Sequence, residues 1–295
     1  MRIGWIGMGT MGLPMATHLR AAGHEVFVHT RTRVRAQPLL DAGAIWVGSP
    51  AEASASADVS FCMVGFPDEV REVHLGSKGL LAGARSGAML IDMSTSPPAM
   101  AIEIAQRAAA RQVRALDAPV TGGDVGAREA RLSILVGGEA ESFQVARPLF
   151  ELMGRTIVHF GPAGAGQHAK MVNQLLVAAS MLAIDEALRY GRAAGLDPAL
   201  LQKALAAGAG GNWSLSNLLP RALTGDDRSG FRARLLEKDL LLAREWAQAN
   251  GLKLEGLERG TLRYQALVAS GGAPVATQGL WRDTLGPVAI AANPA

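Results

Sequence analysis

The sequence predicts an α/β fold: a doubly wound, parallel sheet in the first half, then an all-helical domain, with a long helix linking the two. Three observations predict it. Short apolar runs alternate with helical stretches over the first half, as in sheets built from strand–helix–strand units. The first run enters a glycine-rich turn that opens a helix. After the stretch 161–166 the strand pattern stops, and almost everything carries a helical period.

The first strand is Ile3-Gly4-Trp5-Ile6. It runs into Gly7-Met8-Gly9-Thr10-Met11-Gly12 and then into the helical Pro14-Met15-Ala16-Thr17-His18-Leu19. Strand, Gly-x-Gly-x-x-Gly turn and helix, in that order, are the context a dinucleotide-binding fingerprint requires. Gly7 allows the tight turn, Gly9 lets a pyrophosphate approach the backbone, and Gly12 lets helix and strand pack closely. The pyrophosphate then sits at the helix N-terminus, where N–H groups and the helix dipole favour an anion. Residues Gly7, Met8, Gly9, Thr10, Met11 and Gly12 are therefore assigned to the cofactor of a Rossmann-type sheet.

Further strands are expected at 25–29, 45–47, 58–64, 88–92, 113–117, 132–137 and 156–160, with helices notably at 11–22, 33–42, 67–74 and 97–111. The runs at 58–64 and 88–91 are nearly continuous in apolar residues, as strands buried on both faces are. Met171, Val172, Leu175, Leu176, Ala179, Leu182 and Ala183 recur at three- and four-residue steps and predict one helix over 167–194. At 1.5 Å per residue it is about 40 Å long, and Gly195 and Pro198 end it. Its length and apolarity suit a helix that joins two domains or packs on a second subunit. The remaining helices are expected at 198–207, 214–223, 231–250, 253–269 and 276–285. The expected domains are 1–161, NADP-binding, and 162–295, for substrate and dimerisation.

A chain of 295 residues, 49% of them apolar, can bury a substantial core and is not disordered. Its net charge of +3 is spread along the chain; the densest basic stretch, Arg31 to Arg35, suits phosphate binding better than nucleic acid. The single cysteine, Cys62, excludes an intramolecular disulfide, suits a reducing cytoplasm and reads as a small buried hydrophobe. With a strand beginning at residue 2, no targeting segment is expected ahead of it. The uncharged stretch between Lys170 and Asp185 is shorter than a membrane span and holds Asn173 and Gln174. Neither a nucleic-acid nor a membrane partner is expected.

An NAD-specific site usually carries an acidic residue at the end of the second strand, to accept from the ribose hydroxyls. Here that strand ends His29-Thr30-Arg31-Thr32-Arg33, without a carboxylate. Arginine can bind a 2′-phosphate with charge-assisted hydrogen bonds. NADP(H) is therefore favoured over NAD(H), read first by Arg31, with Thr30 and Thr32 beside it and Arg33 as a possible helper.

Three further segments carry chemistry. Asp92-Met93-Ser94-Thr95-Ser96-Pro97-Pro98 follows a strand and starts a helix, so its hydroxyls and N–H groups suit cofactor or a substrate anion. Asp117-Ala118-Pro119-Val120-Thr121-Gly122-Gly123 also follows a strand, and its paired glycines expose N–H groups suited to a carboxylate. In Gly164-Ala165-Gly166-Gln167-His168-Ala169-Lys170-Met171-Val172-Asn173, Lys170 and Asn173 share a helix face. Desolvation disfavours the charged form of a lysine and allows proton exchange near neutral pH.

Together these segments give the chain a resemblance to the β-hydroxyacid dehydrogenase family, the group of 3-hydroxyisobutyrate dehydrogenases and tartronate, glyoxylate and succinic semialdehyde reductases. The likeness covers almost the whole chain. Residues 4–16 look like the family's opening signature, 117–127 like its substrate-binding motif, 164–174 like its catalytic motif, and Phe231 through Lys238-Asp239-Leu240 like its late Lys-Asp motif. The resemblance implies a Rossmann domain, a long helix and a helical domain, as in the related 6-phosphogluconate dehydrogenase. It implies Lys170 as the catalytic acid/base and Asn173 as the residue that positions the reacting oxygen. Thr121, Gly122 and Gly123 hold the substrate carboxylate, with Ser94 also assigned to substrate. Thr95 and Lys238 match cofactor-contacting positions, Lys238 also lying close to substrate, and Val64 is assigned to cofactor with them. No metal is implied, and no His/Asp/Glu cluster stands at ligand spacing. A homodimer or homotetramer acting on a small carboxylate-bearing substrate is expected.

Two other activities fit the same fold. Imine reductases usually place another residue at Lys170, and a catalytically silent NADP-binding protein would have lost it. A short-chain dehydrogenase is disfavoured, since neither Tyr190 nor Tyr264 has a lysine four residues later. One departure is Arg128-Glu129-Ala130-Arg131-Leu132-Ser133-Ile134, where many relatives read Gly-x-Leu-Thr-Ile; it is expected only to adjust a strand turn. Trp213, in Asn212-Trp213-Ser214, either shapes the substrate's distal side or packs in the core.

Overall fold

The computed structural model describes residues 1–228, 230–272 and 275–286. The chain forms two compact units, Met1–Lys170 and Met171–Ala295.

The first unit holds nine strands: β1 (Arg2–Ile6), β2 (Glu25–His29), β3 (Ile45–Trp46), β4 (Val59–Cys62), β5 (Met89–Asp92), β6 (Arg114–Asp117), β7 (Val120–Thr121), β8 (Leu132–Gly138) and β9 (Gly154–Gly161). Between them run α1 (Gly12–Ala21), α2 (Gln37–Asp41), α3 (Pro50–Ser56), α4 (Pro67–Leu75), α5 (Leu80–Gly83), α6 (Pro98–Ala109), α7 (Gly123–Arg128) and α8 (Ala140–Glu151). The sheet order is β3-β2-β1-β4-β5-β6-β8, with β9 also on β8. The pairs from β3 through β6 are parallel, as expected.

Side chains alternate across a strand, so the continuous apolar runs feed two cores. Ile3, Trp5, Phe61, Met89 and Ile91 enter one cluster, whereas Ile6, Cys62 and Leu90 enter another. That division is the physical content of a doubly wound sheet. It also confirms Cys62 as a fully buried small hydrophobe.

Beyond β6 the expected parallel order needs correcting. β8 runs antiparallel to β6, with Leu116 opposite Gly138, and antiparallel to β7, with Thr121 opposite Ser133. The Leu135 N–H donates to the Pro119 carbonyl at 2.9 Å. β6 and β7 are thus one strand interrupted at Ala118-Pro119, facing β8 in a single register. A proline supplies no N–H to a ladder, which explains the break. Only the short α7 and a turn separate β7 from β8, so the chain doubles back. The longer α8 carries it across to the parallel β9.

Ala130, in that turn, has φ +52°. An L-residue there is strained by roughly 1–2 kcal/mol, which glycine avoids. Ala130→Gly is therefore expected to stabilise the fold by up to about 1 kcal/mol, raising the melting temperature by about 2–4 °C. A lower melting temperature would show that the alanine methyl packs favourably enough to offset the strain.

The second unit is helical. α9 (Ala165–Ala193) begins in the first unit and continues into the second, followed by α10 (Pro198–Leu205), α11 (Trp213–Asn217), α12 (Leu219–Leu223), α13 (Ala233–Ala249), α14 (Glu255–Leu267) and α15 (Arg282–Leu285). The expected helix 214–223 is broken into α11 and α12, and the expected helix 276–285 is a 3₁₀ turn, Thr277–Trp281, that runs into α15. Met181, Leu236, Tyr264 and Trp281 are fully buried in the core of this unit. Its large polar-tipped side chains are satisfied: Tyr264 donates to the Thr277 carbonyl and Trp281 to the Met181 carbonyl.

By length and composition α9 is able to cross a bilayer, whereas the uncharged stretch between Lys170 and Asp185 within it is shorter than a membrane span. Its Ala178, Met181, Ile184 and Leu188 lie in the second unit's core, so packing accounts for that face. Residues 287–295 of the expected second domain lie outside the described residues.

Residues 162–170, placed after the expected boundary, group with the first unit. The buried Asp117 carboxylate explains this: it accepts from the Gly164 N–H at 2.8 Å and the Gln167 N–H at 2.9 Å. A carboxylate at the start of α9 satisfies helix N–H groups that have no partner within the helix.

Candidate active site

The glycine turn after β1 carries the clearest signature. Gly7 has φ +98°, and a Cβ there would lie 2.1 Å from the Met63 carbonyl oxygen. A Cβ on Gly12 would lie 2.1 Å from the Gly7 oxygen. These two glycines are demanded by the protein's own packing. Gly9 differs, since a Cβ there would meet no protein atom within 4 Å. The space above Gly9 is open, which fits a group held against the backbone. The first turn of α1 contains no acidic residue, so nothing there opposes an anion.

Thr30, Arg31 and Thr32 follow β2, whose carboxyl end adjoins that of β1. The Arg31 side chain is 85% exposed and pairs with Glu69 of α4 at 2.6 Å. Arg33 lies over the Trp46 ring, 5.3 Å from its centroid, a cation–π contact. Arg33 is therefore engaged with Trp46, whereas Arg31 is engaged with Glu69; both arginines are exposed.

The ends of β4 and β5 are tied together. Ser94 is 1% exposed, and its hydroxyl accepts from the Val64 N–H at 3.0 Å. Ser94 thereby fixes the end of β4. Gln167 joins the same layer, accepting from the Ser96 N–H and donating to the Ser94 carbonyl. Through Gln167 and Asp117, the start of α9 is fastened to the ends of β5 and β6.

Lys170 is the last residue of the first unit and is 7% exposed. Its Nζ donates to the Val120 carbonyl at 2.9 Å. Val120 precedes Thr121, Gly122 and Gly123, and the two glycines have φ of +129° and +67°. The lysine and the glycine-paired turn therefore meet within one unit.

Asn173, three residues further along α9, belongs to the second unit. Its amide donates to Gln174, and Gln174 donates to Asp239 at 2.6 Å. Asp239 is buried and pairs with Lys238 at 2.9 Å. The two candidates Asn173 and Lys238 are thus linked through Gln174 and Asp239. Neither linking residue was assigned a role from sequence, although both sit inside the quoted motifs. The signal was a polar residue next to each candidate. Trp213, which opens α11, is 51% exposed, so it is not a core residue.

Residues 2–161 match the family described as the NAD binding domain of 6-phosphogluconate dehydrogenase. Residues 164–282 match the one described as NAD-binding of NADP-dependent 3-hydroxyisobutyrate dehydrogenase. The chain belongs to the β-hydroxyacid dehydrogenase family. It is 41% identical to the 3-hydroxyisobutyrate dehydrogenase of Pseudomonas aeruginosa, over 84% of this chain and 85% of that protein. It is 37% identical to the 2-hydroxy-3-oxopropionate reductase of Escherichia coli, over 92% of this chain and 93% of that protein. The solved 3-hydroxyisobutyrate dehydrogenase of Mycobacterium tuberculosis, with L-serine, superposes with a TM-score of 0.84 at 32% identity, covering 94% of this chain and 97% of that one. This β-hydroxyacid dehydrogenase is accordingly an oxidoreductase that works with a nicotinamide dinucleotide.

One polar cluster of this dehydrogenase lay outside the expectations. Cys62 of β4, His74 of α4 and Asp92 of β5 place ligand-type atoms within 4.8 Å of one another, all buried. Their spacing in sequence carries no metal signature; the strand order β4-β5 brings them together. Three donors are fewer than the four of a structural zinc site. Burial pushes the Asp92 carboxyl up to about 7, against hydrogen bonds from Ser94 and Ser96. Burial likewise holds His74 neutral, its pKa lowered to about 4. Both ring nitrogens of His74 lack a hydrogen-bond partner, the nearest carboxylate oxygen being Asp92 Oδ1 at 4.0 Å.

A buried polar group without a partner costs about 1–3 kcal/mol. His74→Phe is therefore expected to raise the melting temperature at pH 7.5. The gain should widen as pH falls from 6.5 towards 4, because the unfolded chain takes up a proton there while the folded His74 does not. Asp92 acts in the opposite sense: its raised pKa makes stability fall as pH rises between about 4 and 7. It is present in both proteins, so the difference between them reports the loss of His74 together with its effect on Asp92, 4.0 Å away. Thermal unfolding at pH 7.5 and 5 checks this; a variant less stable at both would show the imidazole to be a net stabilising part of the cluster.

Proposed function

We propose that this dehydrogenase interconverts a small 3-hydroxyacid and its semialdehyde, of the 3-hydroxyisobutyrate kind, using NADP(H) in preference to NAD(H) and no metal. The observation that carries the proposal is Lys170: a nearly buried amine, fixed by the Val120 carbonyl, beside the Thr121-Gly122-Gly123 turn. The open space at Gly9 and the Gly7 and Gly12 turn fit the dinucleotide, with Thr30, Arg31, Thr32, Val64 and Thr95 as further contacts. When bound, the nicotinamide supplies the hydride acceptor or donor.

The chain's own residues then handle the proton and the anion. In oxidation Lys170 Nζ takes the hydroxyl proton, and in reduction it returns it to the forming alkoxide. The bond to the Val120 carbonyl and the burial of the side chain hold the amine beside the Thr121-Gly122-Gly123 turn. Asn173, steadied by Gln174, orients the reacting oxygen. Thr121 and the N–H groups at Gly122 and Gly123 hold the substrate carboxylate, and Lys238, paired with Asp239, adds positive charge. Val172 and Leu176, one turn apart on α9 and 61% and 66% exposed, support assembly as a homodimer or homotetramer.

The test is nicotinamide absorbance in a panel of 3-hydroxyisobutyrate, serine, glycerate, 3-hydroxypropionate, glyoxylate, succinic semialdehyde and a cyclic imine, with both dinucleotides. NADP-preferring turnover of a carboxylate-bearing alcohol or aldehyde supports the proposal. Turnover of the imine alone overturns it.

A further inference from the structure

No carboxylate follows β2 in sequence, yet the fold delivers one. Glu69 belongs to α4, which follows β4, and β2 and β4 flank β1 on either side. One carboxylate oxygen of Glu69 pairs with Arg31 at 2.6 Å. The other accepts from the Gly65 N–H at 2.9 Å and the Phe66 N–H at 3.2 Å. Glu69 is thus the fixed partner, anchored to backbone at the start of its own helix, while Arg31 is the exposed and movable one.

We infer that Glu69 sets the cofactor selectivity of this enzyme, by holding Arg31 and by opposing a 2′-phosphate. Binding NADP(H) requires the Arg31 guanidinium to divide its charge between Glu69 and a phosphate of like sign to Glu69. Binding NAD(H) brings no second anion to that place. The carboxylate therefore weakens the preference that Arg31 alone would give, and the chain is tuned towards use of both dinucleotides. This rests on Arg31 reading the 2′-phosphate, as proposed above.

Glu69→Gln tests it, because glutamine keeps an acceptor oxygen for the Gly65 and Phe66 N–H groups and loses only the charge. The readout is the ratio of dissociation constants for NADPH and NADH, measured by fluorescence titration on the full chain. A ratio separates selectivity from a general structural effect, which would weaken both cofactors alike. Glu69→Gln is expected to shift the ratio about three- to tenfold towards NADPH, an effect that shrinks at high ionic strength. In the Arg31→Ala background the same substitution reports only the direct repulsion between Glu69 and the phosphate, so the part of the shift that disappears there is the part carried through Arg31. If Arg31→Ala lowers NADPH selectivity but Glu69→Gln leaves it unchanged or lowers it, the role of Glu69 is overturned and that of Arg31 stands. If Arg31→Ala leaves the ratio unchanged, the 2′-phosphate assignment fails, and the inference fails with it.

Discussion

Replacing Lys170 with methionine is expected to lower turnover by about 10²–10⁴-fold while leaving the dissociation constant for NADPH nearly unchanged. A positioned acid/base acts on the reacting oxygen in the transition state, so its loss falls on kcat more than on KM. Methionine matches the lysine stem in bulk and leaves the Val120 carbonyl without its donor, a cost of about 1–3 kcal/mol in stability. The fold should therefore survive, and thermal unfolding alongside the assay separates a dead enzyme from an unfolded one. Lys170→Arg should be little better than methionine, because guanidinium does not release a proton near neutral pH. Turnover within tenfold of the parent would remove Lys170 from the chemistry. It would then be a buried cation that only braces the turn before Gly122.

The largest expected loss of stability comes from Asp117→Ala. The carboxylate accepts from two N–H groups at the start of α9, and Asp117 is 3% exposed. Removing it leaves both donors buried and unpaired, and hydrogen bonds to a charged group contribute about 1.5–3 kcal/mol each. A loss of about 3–5 kcal/mol is expected, read as a lower midpoint in chemical denaturation. Asp117→Asn should lose less, since one oxygen remains to accept. Because Asp117 also sets where α9 begins, and Lys170 sits in the second turn of that helix, the asparagine variant should lose activity beyond what its stability explains. Full activity in a destabilised Asp117→Asn protein would show that the anchor holds the fold without setting Lys170.

Much of this molecule was legible because its signals are local. Gly7 and Gly12 reveal themselves in sequence because a close backbone approach at both, and a positive φ at Gly7, exclude other residues. The buried strands β4 and β5 reveal themselves because contact on both faces leaves no polar alternation. Lys170 and Asn173 could be paired because a helix repeats every 3.6 residues, a rule that needs no tertiary knowledge.

What escaped depends on partners far apart in the chain. The direction of β8 is invisible in Leu132-Ser133-Ile134-Leu135-Val136, since an apolar run reads alike in either sense. The length of the connecting segment decides it. The same holds for Asp117, which lies in a quoted motif yet meets Gly164 and Gln167 only after β6 and α9 are in place. The Cys62, His74 and Asp92 cluster joins two strands and a helix, and no spacing rule covers such a set.

The sequence by itself therefore determined the fold class, the glycine turn for a dinucleotide and the lysine proposed to carry the proton. Each follows from steric or periodic constraints acting within about a dozen residues. Only the tertiary structure decided that Ser94 faces inward to Val64, that Asp117 fastens α9, and that Arg31 is met by Glu69. Hydrogen bonds and charge interactions act over a few ångströms in space, and only folding converts separation along the chain into that distance.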